Sequence, residues 1–575
     1  VPERASSGAG RRIGLIAFAP ALTVALLVGP VAAGLAGTLA PAFGWLPALG
    51  GDRPSLDAFR GLFAWPGLAR SVALSLGVGI AATALSLAIV TLIAAGWQGT
   101  RAFAAVERAL APLLAVPHAA AAFGLAFLIA PSGWIARALS PWATGWERPP
   151  DLLIAQDPWG LALTAGLVVK EVPFLMLMTL AALAQVRPGP ALMVARALGH
   201  GRIAGWLVAV FPPVYRQLRL PVWAVLAYSM SVVDVAVILG PAAPPPLSVQ
   251  AVRWMNDPDL ALRFRAAAAA TLQLALVVGA LGLWRLLEVA VARIGLRWAA
   301  RGAPTLPGAE AVARGAGLLL GAASAAAVFG GLAGLALWSV AGLWPFPDAL
   351  PDTVTARTWA RHAPRLAGPM AETLIIAAAA TVAALTLTVA CLEAETRRDL
   401  RPGAGALWLL YLPLIAPQVA FLTGLQTMAL VAGVDGGRAA VIGAHLVFVL
   451  PYVFLSLADP WRASDARLAL SARALGAGPG RVLWAVRLPM LLGPLLTAAA
   501  VGFAASVGQY LPTLLIGGGR VTTVTTEAVA LASGGDRRLI GVYALAQAAA
   551  ALLPFMAAAL APRIAWRNRR GLRDG

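Results

Sequence analysis

The sequence predicts an all-α polytopic membrane protein, with about twelve transmembrane helices in two homologous six-helix bundles. Composition, the spacing of apolar runs and an internal repeat lead to that class. Of 575 residues, 60% are hydrophobic and only 12% are charged, with a mean hydropathy of +0.80. Soluble domains carry roughly 25% charged residues. A chain with half that charge has too much apolar surface to hide from water, so its solvent is a bilayer. Lys+Arg number 44 against 25 Asp+Glu, a net charge of +19, and the single lysine is Lys170. The arginines punctuate apolar runs instead of forming one basic domain. They therefore read as topology signals, not as a nucleic-acid surface.

Each crossing needs about 20 mostly apolar helical residues, because hydrocarbon offers backbone polar groups no partner. In the first half such segments lie at 13–39, 68–96, 109–130, 160–184, 221–240 and 266–294. In the second they lie at 314–342, 371–392, 406–430, 440–458, 490–516 and 539–562. The first follows Arg11 and Arg12 and is too long for the apolar core of a signal peptide, so it reads as an uncleaved span. Arginines near span ends mark the cytoplasmic side. Arg4, Arg11 and Arg12 at one terminus, and Arg563, Arg567, Arg569, Arg570 and Arg573 at the other, predict that both ends are cytoplasmic. The loop between spans four and five carries Arg187, Arg196, Arg202, Arg216 and Arg219 and no acid, so it belongs inside too. Residues 1–294 then form one half and 314–575 the other. The segment 295–313, with Pro304 and Pro307, reads as a cytoplasmic linker.

The repeat is the most informative feature. Ala195-Arg196-Ala197-Leu198-Gly199 recurs 277 residues later as Ala472-Arg473-Ala474-Leu475-Gly476, and Pro212 and Pro489 keep that offset. Both copies fall in the loop between the fourth and fifth spans of their half, about 187–213 and 464–489. Pro117 and Gly124 match Pro417 and Gly424 at an offset of 300, and Val172-Pro173 matches Leu450-Pro451. Ser231-Val232-Val233-Asp234 parallels Ser506-Val507-Gly508-Gln509. Two parallel copies of one ancestral unit are implied. Past Gly199, Ile203, Trp206, Leu207 and Val210 recur at helical spacing and give a short helix one apolar face. Val482, Leu483 and Val486, flanking Trp484, form a narrower stripe in the second copy. Such a face either packs on its own bundle or meets a partner.

These loops resemble the coupling loop of ABC-importer membrane subunits, whose pattern begins Glu-Ala-Ala, continues to Leu-Gly and ends in Leu-Pro. Ala195, Leu198, Gly199 and Pro212 fit it in the first half; Ala472, Leu475, Gly476, Leu488 and Pro489 fit it in the second. Met193 and Leu470 stand where the family has glutamate, and Phe211 where leucine precedes the proline. With both halves in one chain, the sequence is similar to the fused permeases associated with ferric iron, thiamine and other small solutes. The resemblance implies a transport subunit of the bacterial inner membrane, two copies of a cytoplasmic ABC ATPase, and an external or periplasmic solute-binding protein. ATP and Mg would belong to that ATPase. Ala195, Arg196, Leu198, Gly199, Trp206 and Pro212, with Ala472, Arg473, Leu475, Gly476, Trp484 and Pro489, would be the coupling residues.

Enzymatic chemistry within the chain is not expected. A phosphate-binding loop needs Gly-x-x-x-x-Gly-Lys before Ser or Thr, whereas Lys170 precedes Glu171 in an apolar segment. His118, His200, His362 and His445 lack metal-ligand spacing, and Cys391 has no second cysteine to pair with. Charges inside spans are costly and demand an explanation. Lys170, Glu171 and Asp234, with Gln509 and Tyr510 at matching depth in the second half, either line the path of a solute or neutralise one another. In the second case Lys170 pairs with Glu171 or Asp234. An ion-coupled secondary transporter, which also uses repeated halves and buried charge, is the alternative class.

Overall fold

A computed structural model describes residues 15–301, 307–399, 403–434 and 436–566. The arginines at positions 4, 11, 12, 567, 569, 570 and 573, and Pro304, lie outside them. The first half comprises α1 (Ala19–Ala42), a short hairpin of β1 (Trp45–Leu46) and β2 (Gly51–Asp52), α2 (Asp57–Phe63) and α3 (Leu68–Trp97). It continues with α4 (Arg101–Ala115), α5 (His118–Ile129), α6 (Trp134–Leu139), α7 (Leu161–Val186), α8 (Gly189–Ala197) and α9 (Arg202–Ala209). It closes with α10 (Phe211–Ser231), α11 (Asp234–Leu239), α12 (Leu247–Met255) and α13 (Leu262–Ala300). The second half runs α14 (Pro307–Val340), α15 (Arg357–Arg398), α16 (Ala404–Ile415), α17 (Gln418–Val431) and α18 (Arg438–Ala463). Then come α19 (Ala466–Ala474), α20 (Pro479–Val482), a π-helical turn over Leu483–Arg487, α21 (Leu488–Met490) and α22 (Leu492–Val507). Last are α23 (Leu511–Gly517), α24 (Val524–Ala530) and α25 (Arg537–Ala565).

Among the described residues, nine helices are long and apolar enough to cross a membrane, or eleven when two bent pairs each count as one. The expected third and ninth spans are broken at corresponding prolines. α4 stops before Val116-Pro117, and α16 and α17 meet at 86° across Ala416-Pro417. Proline supplies no N–H and pushes the residue before it into extended conformation, so both helices end there. The expected fifth span, 221–240, is not one helix. α10 ends at Ser231, and the chain restarts as α11 at Asp234. Ser248 Oγ donates to the freed Val232 carbonyl at 3.2 Å, and Gln273 Nε2 donates to that of Met230 at 2.9 Å. Side chains thus satisfy the break that hydrocarbon would penalise. The expected linker 295–313 is mostly helical, because α13 runs to Ala300 and α14 starts at Pro307, a residue suited to a helix's first turn.

The duplication reappears in hydrogen bonds that periodicity cannot reveal. Ser75 Oγ accepts from Leu247 N at 3.1 Å, and Thr373 Oγ1 accepts from Val524 N at 2.9 Å. Thr525 Oγ1 donates to Val507 O at 2.5 Å, as Ser248 does to Val232.

The halves are interleaved through their first helices. α1 packs along α17 and touches α15, α16 and α18, whereas α14 packs on α3, α5 and α7. Glycines permit both crossings. A Cβ on Gly37 would meet Gly424 O at 2.5 Å, and one on Gly124 would meet Gly331 Cα at 2.8 Å. Apolar helices in lipid associate through close packing, so missing side chains let backbones touch. Polar contacts reinforce the α1 seam: Thr38 Oγ1 lies 3.1 Å from Thr423 Oγ1, and Thr23 Oγ1 lies 3.1 Å from Cys391 Sγ. At the end of the bundle away from α8 and α9, Arg137 donates to Pro345 O at 2.6 Å and stacks on Trp344. Arg537 Nη2 donates to Ser132 Oγ at 2.7 Å. The planar guanidinium suits this combination of carbonyl and ring contacts.

Candidate functional site

Two arrangements concentrate the residues singled out from sequence. The first is the pair of repeated loops. α8 ends where Gly199 N donates to Arg196 O at 2.9 Å and His200 N donates to Ala195 O at 3.1 Å. α19 ends identically, with Gly476 N on Arg473 O at 2.9 Å and Ala477 N on Ala472 O at 3.0 Å. Gly199 at φ +82° and Gly476 at φ +83° occupy the left-handed region that this helix end requires. The repeated five residues are therefore a helix terminus that turns the chain sharply into α9 and α20.

The apolar face of α9 turns inward. Ile203, Trp206 and Val210 pack into the core of their own half, and Trp206, 2% exposed, donates from Nε1 to Gln98 Oε1 at 3.1 Å. Val482 and Leu483 are likewise buried. The uncovered apolar groups lie elsewhere. Met193, Val194 and Leu198 are exposed on the first loop; Leu470, Leu475 and Trp484 are exposed on the second, Leu198 at 73% and Leu475 at 88%. Arg196 and Arg473 stand exposed beside them, while Ala195 is buried and Ala472 half-buried. Pro212 and Pro489 open the helical stretches that return to the bundle. Burial, then Arg314 and Arg196 nearby, hold the Arg202 guanidinium below the usual arginine value.

The second arrangement lies at the broken helices. Lys170 is buried and pairs with neither Glu171 nor Asp234. Its ammonium donates to Leu113 O at 2.9 Å and Val116 O at 2.6 Å, carbonyls left free where α4 stops. Glu171, also buried, faces His118 Nε2 at 3.6 Å. His118 opens α5 just past Pro117 and keeps 39% of its side chain accessible. Its ring meets that of Tyr228 on α10 edge-on at 5.1 Å. Asp234 opens α11, where a carboxylate suits the helix dipole, and it lies in the field of His118.

The other half contributes tyrosines. Tyr510, immediately before α23, is in electrostatic reach of Asp234, and Tyr452 on α18 is in reach of Glu171 and Tyr228. Gln509 is half-buried beside Tyr510. His445 is fully buried between Ser506 Oγ and Thr513 Oγ1, each at 2.8 Å, and belongs to the packing of the second half. Sequence reasoning missed His118, Tyr228 and Tyr452. The available signal was the place of His118 and of Tyr452, each directly after a repeated proline.

Comparison with known proteins decides the family. No family model matches the chain. It is 32% identical over 527 residues to the inner membrane ABC transporter permease protein YnjC of Escherichia coli, covering 90% of this chain and 93% of that protein. The chain belongs to the ABC-transporter permeases. Shorter stretches resemble other permeases. The molybdenum transport system permease protein ModB of Mycobacterium tuberculosis is 33% identical over 185 residues, spanning 28% of this chain and 68% of that protein. The putrescine transport system permease protein PotI of Escherichia coli is 27% identical over 158 residues, spanning 26% of this chain and 56% of that protein. The permease is thus a transport subunit of an import system and a multi-pass protein of the inner membrane. That membership displaces the ion-coupled secondary transporter as its class.

Proposed function

We propose that the loops around Gly199 and Gly476 are the docking sites of two copies of a cytoplasmic ABC ATPase, which supplies the ATP and Mg chemistry. The observation that carries this reading is the repeated helix end that leaves Leu198 and Leu475 uncovered at the same step of both halves. Exposed leucines flanked by Arg196 and Arg473 suit a partner cleft with an apolar floor and an acidic rim. Both termini then lie on the ATPase side, and an external solute-binding protein delivers cargo to the opposite side. Nucleotide shifts the permease between two conformers only as far as it favours one of them, and the loops pass on that difference.

The path runs between the halves, past Glu171 and Asp234. The Lys170 ammonium is hydrogen-bonded to backbone carbonyls and forms no direct ion pair with either carboxylate, although Glu171 lies in its field; Asp234, with no such cation paired to it, is the carboxylate that favours a small cationic solute. Thiamine and ferric iron are candidates by resemblance; the partial relatives, named for molybdenum and for putrescine, do not agree on a cargo, so the cationic reading rests on the carboxylates.

The test is affinity purification of the tagged chain in mild detergent, with and without Leu198→Glu and Leu475→Glu. A stoichiometric ATPase with a phosphate-binding loop accompanies the parent protein and is lost from the double variant. Retention of that ATPase by the double variant would sink the assignment of the loops.

A further inference from the structure

We infer that Glu310 fastens the first docking loop to the second half of the chain, so that the two loops transmit unequally. The inference rests on the reading of both loops as ATPase docking sites. α9 begins with three N–H groups that have no acceptor within their own helix, and its preceding residue, Gly201, has no side chain to cap them. The Glu310 carboxylate takes all three. Oε2 accepts from Arg202 N at 3.1 Å, and Oε1 accepts from Ile203 N at 3.1 Å and Ala204 N at 3.2 Å. Hydrogen bonds to an ionised acceptor are stronger than neutral ones, and the helix dipole favours a negative charge at this end.

Glu310 sits in the first turn of α14, the helix that the second half lends to the first. The end of α3 completes the junction. Arg202 Nη2 donates to Gln98 O at 2.5 Å, Trp97 Nε1 donates to Arg314 O at 2.9 Å, and the Arg314 guanidinium lies over the Trp97 ring at 4.9 Å. The first docking helix is thereby held to α3 and α14 together, and displacing it displaces both.

The second loop is built differently. Pro479 takes the place of Arg202 and has no N–H to cap, and α20 gives way after Val482 to a π-helical turn. The helix corresponding to α14 is α1. The sequence carries no Asp or Glu between Arg4 and Gly51, so no carboxylate reaches the second loop from that helix. Its tether is a side chain: Arg487 Nη1 donates to Glu393 Oε2 at 2.5 Å, beyond the docking helix. Both docking segments bury apolar side chains, but one is also clamped at its backbone by a carboxylate, whereas the ion pair of the other loop holds a side chain.

The experiment uses the full chain in nanodiscs, with Glu310→Ala, Glu310→Gln and Arg487→Gln. Without ATPase, amide exchange over 202–209 becomes at least about tenfold faster in Glu310→Ala, less so in Glu310→Gln, and is unchanged over 479–487. With the copurified ATPase at unchanged stoichiometry, permease-stimulated hydrolysis falls several-fold in Glu310→Ala, recovers partly in Glu310→Gln, and falls less in Arg487→Gln. Unchanged exchange in Glu310→Ala would overturn the inference. So would faster exchange with full stimulation, or equal losses from Glu310→Ala and Arg487→Gln. A parent protein that holds no ATPase contradicts the docking reading, and the exchange measurement then decides alone whether Glu310 clamps the loop.

Discussion

Gly124 on α5 and Gly331 on α14 touch backbone to backbone, so that a Cβ on either would lie within 3.0 Å of the other's Cα. Gly424 and the Gly34–Gly37 stretch of α1 repeat this crossing in the other half. A side chain at Gly124 or Gly424 must push two helices apart.

Gly124→Val and Gly424→Val are therefore expected to destabilise the chain by about 1–3 kcal/mol or more, as overpacking does in cores. Gly77→Ala, where a Cβ meets nothing within 4 Å, is neutral by the same criterion. Thermal unfolding followed by size-exclusion chromatography separates the two outcomes. Equal melting points for all three variants would contradict the close crossing.

Lys170→Met leaves the carbonyls of Leu113 and Val116 without their donor, at a cost of about 1–3 kcal/mol. Because Lys170 touches neither acid, exchanging charges in Lys170→Asp with Asp234→Lys restores nothing. A double-mutant cycle on Lys170→Met and Asp234→Asn measures this, with a coupling energy within about 0.5 kcal/mol of zero. A coupling of several kcal/mol would reinstate a direct pair.

Gly199→Leu and Gly476→Leu force a branched side chain into the left-handed region, at roughly 1–2 kcal/mol each. The bundle stays folded, because a Cβ at either site meets open space. The measured consequence is loss of permease-stimulated ATP hydrolysis. Gly199→Asn, which tolerates that backbone, keeps most of it.

Glu171→Gln and Asp234→Asn remove the two buried carboxylates with little change of volume. Uptake of a cationic solute such as thiamine by cells carrying the complete system is expected to fall at least about tenfold, the equivalent of 1.4 kcal/mol. ATPase binding stays intact. Full uptake in both variants would remove the carboxylates from the path.

Much of the candidate site was legible because local rules govern it. The repeat singled out Gly199 and Gly476, whereas their role as helix ends in the left-handed region shows only in the structure. The stripe of Ile203, Trp206 and Val210 announced a helix. Its direction was not legible, because periodicity reports that a face is apolar and not which neighbour covers it; the bundle covers this one, and Leu198 is left outside. Lys170 was conspicuous for the same reason that its partner was hidden. A buried charge shows in any sequence, but the carbonyls of Leu113 and Val116 are invisible until the chain breaks at Pro117 and α7 packs beside it.

The sequence by itself determined the membrane class, the duplication and the two repeated loops, because apolar run length and the needs of glycine and proline are local, and a repeat is found by matching the sequence with itself whatever the distance between its copies. Tertiary structure alone decided that α1 and α14 cross into the opposite half, that His118, Tyr228 and Tyr452 gather around Glu171 and Asp234, and that Glu310 caps α9 from 107 residues beyond Ile203. These choices depend on helix packing and on hydrogen bonds between distant segments, whose energies no local pattern records.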